Sequence, residues 1–259
     1  MPESLVLYEA RERAAVLHIH NPPANALSLA TLEALEGAVR RALGEDAKVV
    51  ILTGQGANFC AGADMGELHA LAGSAAAAEL SGRGQALCDL IETAPKPVIA
   101  AINGRYALGG GVELLLACHL RLIEASTQLG SPEVRLGLMV GWGGSQRLPR
   151  LVGAGRALEL LLTGRRLSAA EAFAMGLVNR VVADGTVLAE ALTLAAELAA
   201  LSAPVLAATL RAVMAGLRQG YGVGMQTEQA EFAALCDRAD WREGTRAFME
   251  KRPPRFVDG

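Results

Sequence analysis

Aromatic side chains are scarce in this sequence of 259 residues, which has two Trp, three Tyr and five Phe. Hydrophobic residues nevertheless make up 52% of the chain, so Ala, Leu and Val must fill most of the core. A core of this kind favours helices over a β-sandwich. The length is sufficient for one large domain or for a domain with an appendage.

An excess of positive charge is also missing, because the formal net charge is −3. This balance gives no sign of a nucleic-acid or anionic-membrane partner. No charge-free run reaches the roughly 18 apolar residues that would span a membrane, and the N-terminus lacks the pattern of a signal peptide. We therefore expect a cytoplasmic protein with no membrane partner.

Several common site motifs are absent from the sequence. The four cysteines are Cys60, Cys88, Cys118 and Cys236. They form no CxxC pair and have mostly apolar neighbours, so we expect reduced thiols in the core. His18 and His20 share one face of an expected strand but have no evident third ligand, so no metal site is predicted. The sequence has no P-loop, no complete dinucleotide fingerprint and no G-x-S-x-G motif.

The first half of the chain alternates short apolar runs with helical patterns. Strands are predicted at 14–20, 48–53, 97–103 and 120–124, and a helix at 29–43. Such alternation indicates an α/β architecture with parallel strands.

The second half is rich in Ala and Leu. Helices are predicted there at 187–201, 204–217 and 226–237. A D-x-x-E sequence that starts at Asp240 has the form of a capping box and predicts a last helix that ends near Lys251. We expect a soft boundary near residue 195, between a region 1–195 and a region 196–259.

Glu113 is the only charged residue in the segment YALGGGVELLLAC at 106–118. A carboxylate among such apolar neighbours is costly to bury without a partner, so one interpretation places Glu113 on the solvent-facing side of a helix. The three glycines before it favour a functional site, because they let a ligand approach the free N–H groups of the first helical turn.

Two further segments are rich in small residues. In NFCAGADM at 58–65, Asp64 is predicted to cap a helix, because Asp64 and Glu67 have the spacing of a capping box. In GSPEVRLGLMVGWGGSQ at 130–146, Glu133 precedes a glycine-rich stretch that leads into a helix near Gly144. Taken alone, Glu133 is more typical of a surface loop.

Six segments, in order along residues 5–256, resemble the enoyl-CoA hydratase/isomerase (crotonase) family. They are PPANAL at 22–27, AGADM at 61–65, KPVIAAINGRYALGGGVELLLAC at 96–118, PEVRLG at 132–137, GGSQRLPRLVG at 143–153 and REGTRAFMEKRPPRF at 242–256. One such segment would be a weak indication, whereas six in order over the whole chain are specific.

The resemblance implies roles for particular residues. The acid/base pair would be Glu113 and Glu133, with Glu113 as base and Glu133 as acid. The two oxyanion-hole amides would belong to Ala63 and Gly110. Residues near the substrate and its CoA arm would be Leu27, Ala61, Ala63, Asp64, Gly110 and Lys251. The implied partner is an acyl-CoA thioester, and no metal or redox cofactor is implied.

The resemblance also implies a crotonase-like spiral of ββα units followed by a C-terminal helical trimerisation region, assembled as a trimer or a dimer of trimers. The implied activity is that of an enoyl-CoA hydratase in fatty-acid or related acyl-CoA degradation. Alternatives are a Δ3,Δ2-enoyl-CoA isomerase, a hydratase of branched or dicarboxylic substrates, and a non-catalytic CoA-binding module. Two glutamates favour hydration, while Val140 and the bulky Trp142 depart from the family pattern and leave the acyl-chain preference open.

Overall fold

Two β-sheets organise the chain in the computed structural model, which describes residues 4–259. The strands of the larger sheet are β1 (Val6–Arg11), β2 (Ala14–Ile19), β3 (Val49–Gly54), β4 (Val98–Ile102), β6 (Leu120–Glu124) and β9 (Arg180–Val182). The smaller sheet consists of β5 (Tyr106–Leu108), β7 (Gln128–Gly130) and β8 (Arg166–Ser168). The four predicted strands correspond to β2, β3, β4 and β6, with ends that agree to within one residue.

The strands of the larger sheet follow one another in the order β1-β2-β3-β4-β6-β9. Only β1 and β2 pair antiparallel, and the other neighbours are parallel. Strands β3 and β4 are buried at every residue, as expected for parallel strands that are covered on both faces. The prediction of an α/β architecture with parallel strands is therefore confirmed.

Helices connect the strands and cover both sheets. They are α1 (Leu29–Gly44), α2 (Met65–His69), α3 (Gly73–Glu92), α4 (Gly110–Ala117), α5 (Gly144–Val152), α6 (Ala154–Thr163), α7 (Ala169–Ala174), α8 (Val187–Ala199), α9 (Ala203–Gln219), α10 (Tyr221–Cys236) and α11 (Ala239–Met249). A 3₁₀ helix, η1 (Pro132–Leu136), lies between β7 and α5.

The larger sheet separates two apolar clusters. On one face, Leu17 and Leu52 join a cluster that contains the buried side chains of α1, α3 and α4. On the other face, Val16 and Ile51 pack with α8. Residue 195 lies inside α8, so the chain leaves the sheet only after this helix ends. The expected division at residue 195 remains a prediction.

The last three helices lie beyond the sheet. Helices α9 and α10 approach closely at Gly216 and Gly224, where a Cβ on Gly224 would be 2.7 Å from the Gly216 Cα. Helix α10 begins at Tyr221, five residues before the predicted start at 226. Gly222 and Gly224 weaken the helical pattern in this part of the sequence, and Gly224 is the one that allows the close approach to α9. No residue of α10 is buried.

The predicted capping box at Asp240 is wrong. Arg238 is the residue that precedes α11, and Asp240 lies inside its first turn and is buried. The Asp240 carboxylate accepts hydrogen bonds from the N–H groups of Val257 at 2.8 Å and Asp258 at 3.0 Å. These donors from the C-terminal segment satisfy the carboxylate, so it fastens that segment to α11 instead of capping the helix.

The prediction of core thiols holds for three of the four cysteines. Cys60, Cys88 and Cys118 are buried and unpaired, whereas Cys236 is only half-buried at the end of α10. The apolar neighbours of Cys236 in sequence face outward with the rest of α10, so they do not indicate a core position.

No single helix in residues 4–259 is long and apolar enough to cross a membrane. Helices α8 and α9 meet the length and composition criteria only as a pair, and they are bent by 106° relative to each other.

Candidate active site

Helix α4 carries Glu113 into the interior of the protein. Gly109, which precedes the helix, has a φ of 52° and a ψ of −122°, a conformation that favours glycine. Every residue of α4 is buried, and Glu113 is only 3% exposed. The interpretation of Glu113 as a solvent-facing residue is therefore wrong.

Two backbone N–H groups hold the Glu113 carboxyl group. Its Oε1 accepts hydrogen bonds from the N–H of Trp142 at 2.7 Å and from the N–H of Gly144 at 2.8 Å. Gly144 is the first residue of α5, so its N–H has no acceptor within the helix and is free to bind a carboxylate. The loop that leads into α5 thus fixes the orientation of Glu113.

Burial makes Glu113 a weak acid that titrates near neutrality. Its pKa is raised from the ordinary 4.5 to about 7, chiefly by removal from water, and the negative charge of Glu133 acts in the same direction. The hydrogen bonds from Gly144 and Trp142 act in the opposite direction, because they stabilise the ionised form. A carboxyl group in this condition can both accept and release a proton at neutral pH.

Glu133 lies in η1 and lines the same cavity as Glu113. Burial raises its pKa, and its Oε2 is buried without a hydrogen-bond partner in the described part of the chain. Its Oε1 is so close to Gly109 that a Cβ there would be only 3.1 Å away. Glu133 is therefore a cavity residue, and not the surface-loop acid that its local sequence suggests.

Two residues that line the cavity, Ala63 and Gly110, carry backbone N–H groups that the neighbouring secondary structure does not use. The bridge between Leu27 and Ala63 uses the Gly62 carbonyl and the Asp64 N–H, which leaves the Ala63 N–H outside it. Gly110 is the first residue of α4, so its N–H has no acceptor within the helix. A Cβ on Gly62 would be 3.4 Å from the Gly110 nitrogen, which shows how closely the two turns approach.

These groups surround one cavity of about 290 Å³. Ala61, Ala63, Gly110, Glu113 and Glu133, all predicted from the sequence, line it together. The remaining wall is mostly apolar and includes Met65, Leu68, Leu71, Ala77, Leu80, Leu136, Leu138, Met139 and Trp142. An apolar cavity with two carboxyl groups and two free N–H donors suits a small acyl group that must exchange protons.

Three residues predicted to lie near the CoA arm have side chains outside this cavity. Leu27 is 1% exposed and packs in the core. Asp64 caps α2, as predicted, by accepting a hydrogen bond from the Glu67 N–H at 2.9 Å. Lys251 is exposed just beyond the end of α11. Their contacts with CoA remain predictions.

The residues that support the loop before α5 were not predicted from the sequence. Ser81 donates a hydrogen bond to the Gly141 carbonyl at 2.6 Å, and Arg147 donates one to the Trp142 carbonyl at 2.9 Å. Gly84 leaves space for the Trp142 ring. The one sequence feature that indicated this support was the bulky Trp142 in a glycine-rich segment. The supporting residues of α3 are far away in sequence, so no local pattern links them to the loop.

Within residues 4–259, no group of three or more His, Cys, Asp or Glu side chains is placed to hold a metal ion. His18 lies 3.6 Å from the Glu9 carboxylate in the neighbouring strand. The polar groups among the residues that line the cavity are two carboxyls, the Ser81 hydroxyl and backbone amides, a set that suits proton transfer to and from an organic substrate.

Comparison with known proteins agrees with this geometry. A family model described as enoyl-CoA hydratase/isomerase matches residues 9–259. A Bacillus subtilis protein named "Probable enoyl-CoA hydratase" is 43% identical over 93% of this chain and 94% of its own length. A crotonyl-CoA hydratase of Syntrophomonas wolfei is 40% identical over 97% of both chains. The chain therefore belongs to the enoyl-CoA hydratase/isomerase family.

Solved structures support the same relationship. The crystal structure of an enoyl-CoA hydratase from Bacillus anthracis has a TM-score of 0.93 and 37% sequence identity, and it matches 98% of this chain and 100% of its own. A Geobacillus kaustophilus structure described as an enoyl-CoA hydratase has a TM-score of 0.95 at 30% identity, with 100% of this chain and 98% of its own covered. The expected crotonase-like fold is thereby confirmed.

Proposed function

We propose that this chain is an enoyl-CoA hydratase that adds water to a trans-2-enoyl-CoA and yields a 3-hydroxyacyl-CoA. The observation that carries this proposal is that the carboxyl groups of the buried Glu113 and the half-buried Glu133 line one cavity together with Ala63 and Gly110. The crotonyl-CoA hydratase of S. wolfei supports the same reaction for this chain. We place the reaction in the degradation of fatty or related acyl thioesters.

The two N–H groups bind the thioester oxygen in this proposal. As water attacks C3, negative charge moves from the double bond onto the carbonyl oxygen. The Ala63 and Gly110 donors stabilise this enolate-like charge. In other enzymes, one such donor lowers the activation barrier by about 3–4 kcal/mol. The polarisation needs no redox step, so we propose that no cofactor beyond the CoA of the substrate takes part.

The two glutamates transfer the protons. Glu113, whose ionised form accepts hydrogen bonds from the Trp142 and Gly144 amides, removes a proton from water as the water oxygen bonds to C3. Glu133, whose pKa burial raises, supplies a proton to C2. The substrate gains one water molecule. Glu113 takes up one proton and Glu133 releases one, so the total number of protons on the two residues does not change.

We also propose that the protein assembles as a trimer or a dimer of trimers through its last helices. The support is the exposed apolar surface of α9–α11, where Val213, Phe232 and Phe248 are each at least half exposed. Monomeric proteins seldom expose so many large apolar side chains in one region. Sedimentation at micromolar concentration should give the mass of a trimer or hexamer, and a monomer would contradict this proposal.

A comparison of two substrate classes tests the proposed activity. The protein should consume crotonyl-CoA without added cofactor, with loss of the conjugated enoyl absorbance and a mass gain of one water in the product. A 3-enoyl-CoA should not be hydrated directly. If only the 3-enoyl substrate reacts and its mass stays unchanged, the protein is an isomerase, and if crotonyl-CoA binds without turnover, it is a binding module.

A further inference from the structure

We propose that the indole ring of Trp142 limits the depth of the acyl pocket and restricts the enzyme to short enoyl chains such as crotonyl. This inference rests on the proposed function, because it concerns the acyl group of an enoyl thioester. It assigns Trp142 a role in substrate choice that is separate from proton transfer and from the binding of the thioester oxygen.

Trp142 lies in a slot between α3 and α4 that two glycines create. A Cβ on Gly84 would be 2.2 Å from the Cγ of the ring, and a Cβ on Gly110 would be 2.2 Å from its Cζ3. Carbon atoms in contact are normally about 3.5–4.0 Å apart, so any side chain at either glycine would displace the ring. The ring is 5% exposed and fills the slot.

The backbone that carries the ring is fixed on both sides. The Gly141 carbonyl accepts hydrogen bonds from Ser81 Oγ at 2.6 Å and from Gln85 Nε2 at 2.9 Å. The Trp142 carbonyl accepts one from Arg147 Nη1 at 2.9 Å, and the Arg147 guanidinium is buried. These contacts fix the backbone of the loop, and the packing of the ring between Gly84 and Gly110 holds the indole itself in place as a wall of the cavity.

The geometry of the reaction directs the acyl chain toward this wall. The thioester oxygen binds at the Gly110 N–H, and C3 reacts with a water next to Glu113. Trp142 contacts both residues, through its ring at Gly110 and through its N–H at Glu113. Carbons beyond C3 must therefore pass the indole within a cavity of about 290 Å³ that also holds the reacting carbons and the water.

The test compares kcat/KM for crotonyl-, hexenoyl-, octenoyl- and decenoyl-CoA in the wild-type protein and in Trp142→Ala. In the wild type, kcat/KM should fall from crotonyl to octenoyl by about 10-fold or more, since one surplus methylene in a tight pocket already costs about 10-fold. In Trp142→Ala, the octenoyl-to-crotonyl ratio should rise by about 10²-fold, and Trp142→Phe should give an intermediate ratio.

The second tryptophan of the chain provides a matched control. Trp241 lies on α11 and is 46% exposed, so Trp241→Ala removes the same side chain outside the cavity. Its octenoyl-to-crotonyl ratio should equal that of the wild type. Trp142→Phe keeps an aromatic ring in the slot, so a folded variant is available for the comparison even if Trp142→Ala does not fold.

The outcomes separate this inference from the proposed function. If the wild type hydrates crotonyl-CoA and both Trp142 variants keep its chain-length ratios, the ring only packs the helices, and the inference is overturned while the hydratase stands. A wild type that prefers octenoyl- or decenoyl-CoA also overturns it. If the wild type hydrates no enoyl thioester, the proposed function itself fails.

Discussion

Replacement of Glu113 by Gln should stabilise the protein at alkaline pH and change its stability much less at acidic pH. Burial raises the pKa of Glu113 from 4.5 to about 7 in the folded protein, whereas the unfolded chain keeps the ordinary value. The folded state thus binds the proton more tightly. The contribution of Glu113 to stability is therefore fully present below about pH 4.5 and is lost as the pH rises through about 7.

The size of this effect follows from the two pKa values. At about 1.4 kcal/mol per pH unit, a pKa of about 7 instead of 4.5 corresponds to about 3 kcal/mol over the whole range. Between about pH 5.5 and pH 8.5 the wild type should therefore lose about 2 kcal/mol that Glu113→Gln does not lose. The amide oxygen of Gln can still accept the N–H groups of Trp142 and Gly144.

Urea unfolding of both proteins at about pH 5.5 and pH 8.5, at one fixed protein concentration, measures this difference. The Glu197→Gln variant serves as the control, because Glu197 is exposed on α8 and its replacement should give the same stability difference at both pH values. If the advantage of Glu113→Gln over the wild type is the same at both pH values, the reasoning about the buried carboxyl group is refuted.

Three further predictions concern turnover and packing. Because ionised Glu113 acts as the base, initial rates should show kcat/KM for crotonyl-CoA rising about tenfold per pH unit below about pH 7, and a flat profile there would contradict this role. Gly110→Ala should lower the melting temperature by several degrees in the wild type but by much less in a Trp142→Ala background, since the added Cβ meets the indole. Lys48→Met should cost about 1–3 kcal/mol in urea unfolding, because the buried Lys48 ammonium lies 2.8 Å from Asp258. If the losses in free energy of unfolding from Lys48→Met and Asp258→Asn simply add in the double variant, the two groups are not coupled.

Periodicity alone identified the four central strands of the larger sheet and helix α1. Strands such as β3 and β4 are continuous apolar runs because they are buried on both faces, and α1 has the regular spacing of a helix with one buried face. The short strands β5, β7 and β8 have three residues each and no such pattern. Their pairing depends on residues far apart in the chain, which a local pattern does not report.

The proposed catalytic residues were predicted by resemblance, while their surroundings were not. The local sequence did not decide whether Glu113 lies on the surface or in a functional site. The amides that bind its carboxylate belong to Trp142 and Gly144, about 30 residues away in the chain. Likewise, nothing near Gly84 indicates that this glycine provides space for an indole from another segment. Contacts between distant segments decide both points, so they required the structure.

The misassigned Asp240 shows the limit of a capping motif. The D-x-x-E spacing is present, but the carboxylate binds the backbone of the C-terminal segment instead of the start of α11. A short motif specifies which hydrogen bonds a side chain is able to make. The tertiary structure determines which of those bonds forms.

In the proposed reaction, Glu113 and Glu133 together add water to an enoyl thioester. The most direct test is kcat for crotonyl-CoA in the wild type, in Glu113→Gln, in Glu133→Gln and in the double variant, with butyryl-CoA binding measured alongside. Each single variant should lose about 10²–10⁴-fold in kcat with little change in binding, and the double variant should lose less than the product of the two. A single variant that binds butyryl-CoA and turns over crotonyl-CoA at the wild-type rate would contradict the proposed role of the replaced glutamate in the addition of water.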